Sequence, residues 1–430
     1  MALKCIKLVT ASPPPNAVKR FGTARGEVHA GVLRNSSYAV ERHASARPHL
    51  ASRAPAFAHR LEAAGVTAAD IRTEDDLSRI PVLRKDDLIT LQAQNPPFGG
   101  LLAVEISALK RVYQSPGPIY EPEADRPDYW RWASALKAAG FHAGDVVMNA
   151  FGYHLTPAGA MFEEGLRAAG YTVLPGGVGN QEQQVRAMHA LGVTGYVGLP
   201  SYLKALLDKA DELDLPLKVE KAFITAEPLP PSLRAELQQR GVATVRQGYG
   251  TAECGNLGYE CEAEDGWHVP DDVIVQICDI NTGQPLPAGE VGEVVVTVLH
   301  EEYALVRFGT GDLSALNTAP CACGRTAPRL VGWLGRVGDA VKVRGMFLHP
   351  RQLRDLMARF PEVARWQAVI TREAHKDYLT LEVVAPDAPN DLEDRLVAAA
   401  RDAIKFRLAV RRVPDLPADA RPIRDTRTWD

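Results

Sequence analysis

The chain has 430 residues, with Lys+Arg 49 against Asp+Glu 53, 46% hydrophobic and 24% charged. One hydrophobic core seldom grows past ~250–300 residues, so two domains are expected, and this composition excludes a mainly disordered chain. A net charge of −4 with no basic block excludes a dedicated nucleic-acid binder, since phosphate neutralisation needs clustered cations; no apolar run reaches the ~18 residues of a membrane span.

The opening MALKCIKLVTASPPPN has too short an apolar stretch for a secretory leader, which predicts a cytoplasmic protein. Residues 1–43 are weakly patterned, and Pro13, Pro14 and Pro15 favour an extended start. Helical patterns follow from Pro48 to Gly65 and from Asp70 to Leu91, the latter broken at Pro81. DVVMNA (145–150) is the first clear buried strand.

From there strands and helices alternate. GAMFEEGLRAAG (159–170) reads as a helix and YTVLP (171–175) as a strand. Asn180 with Gln183 predicts a capping-box start for a helix that Gly192 stops. TGYVGLP (194–200) is a strand, and Ser201 is placed to cap the helix after it. KAFIT (221–225), PSLRAELQQRG (231–241) and VATVRQ (242–247) repeat the scheme. Such alternation predicts a mostly parallel sheet covered on both faces.

After residue 270 the pattern turns β-rich, with two strands inside 273–299. Beyond a glycine-punctuated join at 335–345, residues 350–359 and 390–409 read as helices, and 364–372 and 378–385 as strands. The expected boundary lies near Gly335–Asp339. In doubly wound sheets, ligands bind beyond the C-terminal ends of strands. Three loops stand there: FGYHLTPAG (151–159), TAEP (225–228) and QGYGTAECG (247–255).

YGTAE (249–253), FGTGDLS (308–314) and GRVGDAVKVRG (335–345) occur in the order seen in adenylate-forming enzymes. With GYHLTPAGAMFEEGLRAAGYTVLPGGVGNQ, VGLPSY, ECEAEDGWHVPDD and PCACGRT, the stretch from Asp75 to Arg427 resembles the phenylacetate–coenzyme A ligase family of the AMP-binding superfamily. The resemblance implies an α/β adenylate-forming fold. A large AMP- and acyl-binding domain would span 1–335, with a β-rich part at about 255–335, and a small α+β lid would span 336–430. It implies an acid–thiol ligase acting on a small carboxylic acid or its acyl-CoA, with CoA as acceptor, ATP or AMP and Mg²⁺ as companions, and a homodimer as a common assembly.

By the same resemblance, Tyr249 stacks on adenine, Ala226 and Glu227 line the adenine side, and Gly250 and Thr251 belong to the nucleotide site. Glu253 holds Mg²⁺, a hard cation suited to oxygen ligands. Asp312 accepts from the ribose hydroxyls, and Arg336 follows the ribose near a hinge at Gly338–Asp339. Phe151, Tyr153 and His154 border the acyl pocket, where Tyr202 adds a further aromatic hint. His154 stands where the family has a small residue, and an imidazole there is a candidate acid or base; packing is the competing reading. Trp130 and Trp132 lie in a helix-like stretch, with at least one expected in the core.

Cys261 precedes His268 by seven positions, and Cys321 and Cys323 form a C-x-C pair. On spacing and family together they predict one tetrahedral structural zinc site; two unrelated pairs of loop thiols is the alternative. Cys254 is a spare thiol near the nucleotide, and Cys278 a buried structural one.

Departures from the family concentrate on phosphate handling. Adenylating relatives carry a Ser/Thr/Gly-rich loop ending in lysine, where this chain has QSPGPIYEPE (114–123). Pro116, Pro118 and Pro122 offer no N–H, no lysine is present, and Glu121 and Glu123 add negative charge. Ala252 replaces a hydroxyl before Glu253, and Gly309 replaces an arginine. The last lysine is Lys405, so Arg421 or Arg424 is the nearby cation in the tail. Together these changes argue against efficient ATP-driven adenylation. Three readings stay open: a ligase with an altered phosphate site, an ATP-independent acyl-CoA enzyme, and a non-catalytic protein that binds a nucleotide or a partner.

Overall fold

The computed structural model describes residues 49–115, 118–339, 341–343, 346–348, 350–373, 376–404 and 407–427. The extended start at Pro13–Pro15, Pro116, His349, His375 and Lys405 lie outside the described residues.

Three strands precede the repeating unit: β1 (Leu83–Arg84), β2 (Leu109–Ser115) and β3 (Ile119–Ala124). The alternating scheme then supplies β4 (Val146–Asn149), β5 (Thr172–Pro175), β6 (Gly195–Gly198), β7 (Lys221–Ile224) and β8 (Thr244–Thr251). These five are parallel, in the order β5-β4-β6-β7-β8. Their apolar residues are buried on both faces, as in Met148, Val147, Tyr196, Val197, Phe223 and Ile224. The chain leaves β4 to one side for β5 and returns to the other for β6, so the switch point that favours ligand binding lies beside the end of β4.

The same sheet continues antiparallel through β9 (Gly255–Tyr259) and β10 (Trp267–His268). A second sheet contains β11 (Val273–Cys278), β12 (Gly292–Val298) and β13 (Phe308–Ser314), in the order β1-β13-β12-β11. The short β14 (Leu316–Asn317) and β15 (Arg329–Leu330) close the edge of the large sheet, while β16 (Gly335–Arg336) pairs with β13. Cys278 is fully buried, as its apolar run predicts.

After a 3₁₀ turn at Val337–Asp339 come the hairpin β17 (Val341–Val343) and β18 (Met346–Leu348), then β19 (Arg365–Glu373), β20 (Lys376–Val384), β21 (Ala409–Arg412) and β22 (Ile423–Asp425). The last four form a sheet in the order β21-β20-β19-β22. A core of this segment's own residues, among them Leu353, Ile370, Leu381 and Leu396, packs under it. Among the described residues no helix is long and apolar enough to cross a membrane.

Two caps differ from expectation. Asn180 adopts left-handed backbone (φ 57°) and its amide donates to Gln183 Oε1 at 2.9 Å, so it makes no side-chain cap. Pro200 takes the first position of the next helix, which moves the cap to Leu199. Ser201 therefore lies inside the helix, and its hydroxyl donates to Glu227 Oε2 at 2.6 Å. Gly192 does end its helix in left-handed conformation (φ 60°).

Candidate active site

A cavity of about 180 Å³ opens at the ends of β4, β7 and β8. Trp132, Phe151, Met161 and Phe162 form its apolar wall, and Ser115, Thr225, Ala226 and Gly250–Ala252 its more polar rim. Phe151 and Phe162 stack with centroids 4.8 Å apart, and Trp132 lies 4.4 Å from Phe162. Trp130 and Trp132 are both buried, so the core reading holds for both. Gly250 is where backbone must pass close: a Cβ there would meet Trp132 Cζ2 at 2.8 Å. An engineered cavity of ~150 Å³ holds a benzene ring, so this one has room for a single ring with a short substituent.

The sequence-predicted acyl residues divide. Phe151 lines the cavity, whereas Tyr153 and His154 are exposed and outside its lining. The Tyr153 hydroxyl accepts from Asn149 Nδ2 at 2.8 Å. Tyr202 donates to Gln184 Oε1 at 2.7 Å, also away from the cavity. Trp132, Met161 and Phe162 were missed as pocket residues, because an apolar face of a helix looks the same whether it lines a core or a cavity. Ala226 lines the cavity in left-handed backbone (φ 68°), a strained state for a residue with a Cβ. Glu227 is exposed and held by Ser201.

On the nucleotide side, the strand ends later than the sequence suggested. Tyr249 and Thr251 are paired within the β8–β9 hairpin, so Glu253 sits in its tight turn. Arg131 donates to the Cys254 carbonyl, and Asn256 Nδ2 donates to the Arg131 carbonyl at 2.9 Å, which pins that turn. Burial, then the Glu253 charge, pushes the Cys254 thiol up to about 12, so it stays protonated and inert. Tyr249 stacks on Trp267 (5.7 Å, 15°) and its hydroxyl donates to Asp312 Oδ2 at 2.8 Å. Asp312 Oδ1 accepts from Trp333 Nε1 at 3.0 Å and lies 3.0 Å from Arg336 Nε. Tyr249, Asp312 and Arg336 thus form one connected group.

The segment 114–123 belongs to a β-hairpin, β2 against β3, with Ser115 opposite Ile119. Glu123 turns into the hairpin while Glu121 stays near Glu253, which revises the expectation that both charge the phosphate place. Glu123 is fully buried, takes a hydrogen bond from the Tyr113 hydroxyl, and lies 2.9 Å from Arg111 Nη1. Its charge is therefore spent inside the hairpin. Glu121 accepts from the Ser115 N–H (3.2 Å) and hydroxyl. Burial pushes Glu121 up to about 7, with the Glu253 charge adding to the rise.

A cation unseen by motif reading stands here. Lys85, the first residue of the helix Lys85–Gln94, places Nζ 2.7 Å from Glu253 Oε1. A lysine far away in sequence carries no local signal, and only the fold could reveal it. The carboxylate already faces an ammonium, and the nearby Thr251 hydroxyl accepts from the Cys254 N–H at 3.1 Å.

Beside it, β1 runs parallel to β13 with Arg84 opposite Gly309. Arg84 donates to Glu293 Oε2 at 2.9 Å and to the Ile280 carbonyl at 2.6 Å. A Cβ on Gly309 would lie 2.5 Å from Glu293 Oε1. The tail cations are elsewhere: Arg424 lies in β22, 3.8 Å from Glu382, and the Arg421 carbonyl accepts from Gln367.

Away from the cavity, Cys261, His268, Cys321 and Cys323 converge, with all ligand atoms within 4.8 Å of one another. Cys261 and Cys321 sulfurs are 3.7 Å apart, and Cys323 Sγ lies 3.4 Å from His268 Nε2. A tetrahedral zinc ion with ~2.3 Å sulfur and ~2.0–2.1 Å nitrogen bonds sets these separations at about 3.8 and 3.5 Å. His268 Nδ1 meets the Ala327 carbonyl at 3.2 Å, which leaves Nε2 as the ligand atom. The Ala263 and Arg325 N–H groups donate to the Cys261 and Cys323 sulfurs at 3.4 Å. Cys254 is not part of the cluster.

A parallel sheet with a ligand cavity at its switch point, followed by a β-rich part and a small α+β unit, defines the adenylate-forming class. The AMP-binding enzyme family pattern matches residues 142–298. Phenylacetate-coenzyme A ligase of Thermus thermophilus is 33% identical, covering 77% of each chain. The enzyme of that name from Aromatoleum evansii is 30% identical over 79% of each. A crystal structure of 2-hydroxyisobutyryl-CoA ligase in an open conformation, with 2-HIB-AMP and CoA, shares the fold: TM-score 0.79, 23% identity, 91% of each chain. The chain belongs to the phenylacetate–coenzyme A ligase family, and is an acid–thiol ligase-like enzyme.

Proposed function

We propose that the protein acts on a compact aromatic carboxylic acid, joining it to coenzyme A or processing its activated acyl form. The cavity of about 180 Å³ walled by Trp132, Phe151 and Phe162 carries this reading. A ring lying against this wall directs its carboxyl toward Gly250–Ala252, beside the Tyr249–Asp312 group. There the acyl carbon meets a nucleotide on one side and an incoming thiol on the other.

In the ligase reaction a carboxylate oxygen attacks the α-phosphorus of ATP and pyrophosphate leaves. The CoA sulfur then attacks the acyl carbon, the C–O bond to AMP breaks, and the thiol proton goes to solvent. Tyr249 and Asp312 hold the nucleoside, and Arg336 sits where a lid could exchange partners. The segment 336–430 has its own core, which supports reading it as that lid. The segment 114–123 offers no lysine, which favours a site that keeps AMP or acyl-adenylate contacts and handles triphosphate poorly. His154 lies outside the cavity lining, so no proton transfer is assigned to it. Cys261, His268, Cys321 and Cys323 would hold a structural zinc ion that locks the β-rich part.

Thermal unfolding with AMP, ATP, phenylacetate and phenylacetyl-CoA, paired with chromatographic assay of thioester formation, tests the proposal. A ligand at 100 times its Kd adds about 2.7 kcal/mol. Stabilisation by AMP and by an aryl ligand is expected, with little from ATP. An unchanged unfolding temperature with both aryl ligands refutes the acyl pocket.

A further inference from the structure

We propose that Trp267 is a positioning residue of the nucleotide site: its indole backs the Tyr249 ring and fixes its tilt, so that the opposite face stands ready for a purine. The inference rests on the nucleotide reading of the Tyr249–Asp312 group and names what sets the orientation of that ring.

Three observations converge. The Tyr249 and Trp267 rings stack with centroids 5.7 Å apart and planes at 15°, the offset arrangement that aromatic pairs favour. One face of the phenol is thereby covered. At the tip of the same ring the hydroxyl donates to Asp312 Oδ2 at 2.8 Å. Tip and face are thus held by different strands, β13 and β10.

Next, the strand order decides which face stays open. The large sheet runs β10-β9-β8-β7 through this region. Trp267 on β10 and the 225–228 loop after β7 therefore flank Tyr249 of β8 from opposite sides. The covered face is turned to β10 and the open one to Ala226 and Glu227. A purine has its place between that open face and the loop.

Finally, the strand in between is cleared for the indole. Gly258 of β9 stands opposite Tyr249, and a Cβ there would lie 2.9 Å from Trp267 Cβ. A side chain at that position would push the indole off Tyr249. The short β10 is braced on both edges: His268 pairs with Tyr259 on one side, and Trp267 with Leu330 on the other. His268, the next residue, also joins the cluster of Cys261, Cys321 and Cys323. The β-rich part thus supplies the support of the purine platform.

The test is calorimetric titration of AMP into the full chain, for the native protein and for Trp267→Phe, Trp267→Leu and Trp267→Ala, with circular dichroism to confirm that each is folded. Trp267→Phe keeps a flat ring and is expected to bind AMP within threefold of the native protein. Trp267→Ala is expected to bind at least fivefold more weakly. Trp267→Leu fills the space without offering a flat face, and should resemble the alanine variant; it carries the test if Trp267→Ala does not fold. Rescue by phenylalanine and not by leucine is a signature that packing alone would not give. Leucine binding as well as phenylalanine, or an alanine variant with native affinity, overturns the role of Trp267 and leaves the nucleotide site standing. No AMP binding by the native protein overturns both.

Discussion

Lys85 and Glu253 form an ion pair of 2.7 Å between a helix start and a hairpin turn. Because Glu253 is buried, the pair couples two elements at the point where a nucleotide phosphate would arrive. Removing the lysine strands a buried carboxylate, a loss of ~3–5 kcal/mol for a fully buried pair and less here because Lys85 is partly exposed. Lys85→Met should lower the unfolding temperature more than Lys85→Arg, which keeps the charge beside the buried Glu253; an equal drop for both would show that the charge is irrelevant.

Glu121 supplies a pH dependence. Its folded value of about 7 lies above the ordinary 4.5. The folded state thus holds the proton more tightly, and the stabilisation is complete below 4.5 and lost as pH rises through about 7. Ionised Glu121 also repels a phosphate. AMP affinity should therefore rise as pH falls from 8 to 6, and Glu121→Gln should flatten the slope. A slope surviving in Glu121→Gln would assign the titration to another group or to the phosphate itself.

The cavity makes a steric prediction. Ala158→Leu sets a larger side chain into the cavity that Ala158 lines, taking up space that a ring would need. Aryl-acid affinity should fall at least tenfold while AMP affinity changes far less. Equal losses for both ligands would mean that the cavity is not the acyl site.

For His154, exposed and away from the cavity lining, His154→Ala should leave turnover within twofold. A hundredfold loss would return it to the chemistry.

Metal analysis should find about one zinc per chain. Cys323→Ser should remove it and cost about 4 kcal/mol or more, the class of loss seen when a structural metal goes. Full stability after exhaustive chelation would favour unbound thiols.

Much of this architecture could be read from residues alone. Runs such as DVVMNA and KAFIT are apolar, short and bounded by turn residues, so buried parallel strands were legible. The Cys/His cluster was legible because C-x-C pairs are rare without purpose. The hairpin at 109–124 was not, since LKRVYQS and IYEPEA put charges on the buried face, where Arg111 and Tyr113 satisfy them. Lys85 escaped for a different reason: its partner is brought by topology, and no local pattern encodes that. Asn180 and Ser201 misled because a left-handed turn and a proline at the first helical position decide those caps instead of side-chain chemistry.

A side chain at Gly309 would contend with Arg84 for the Glu293 carboxylate. An arginine reinstated at that position would drive its first carbon to 2.5 Å from Glu293 Oε1, and would set a second guanidinium beside Arg84. That oxygen is the tip of a flexible side chain, so it can swing aside, and its hold on Arg84 is what would be given up.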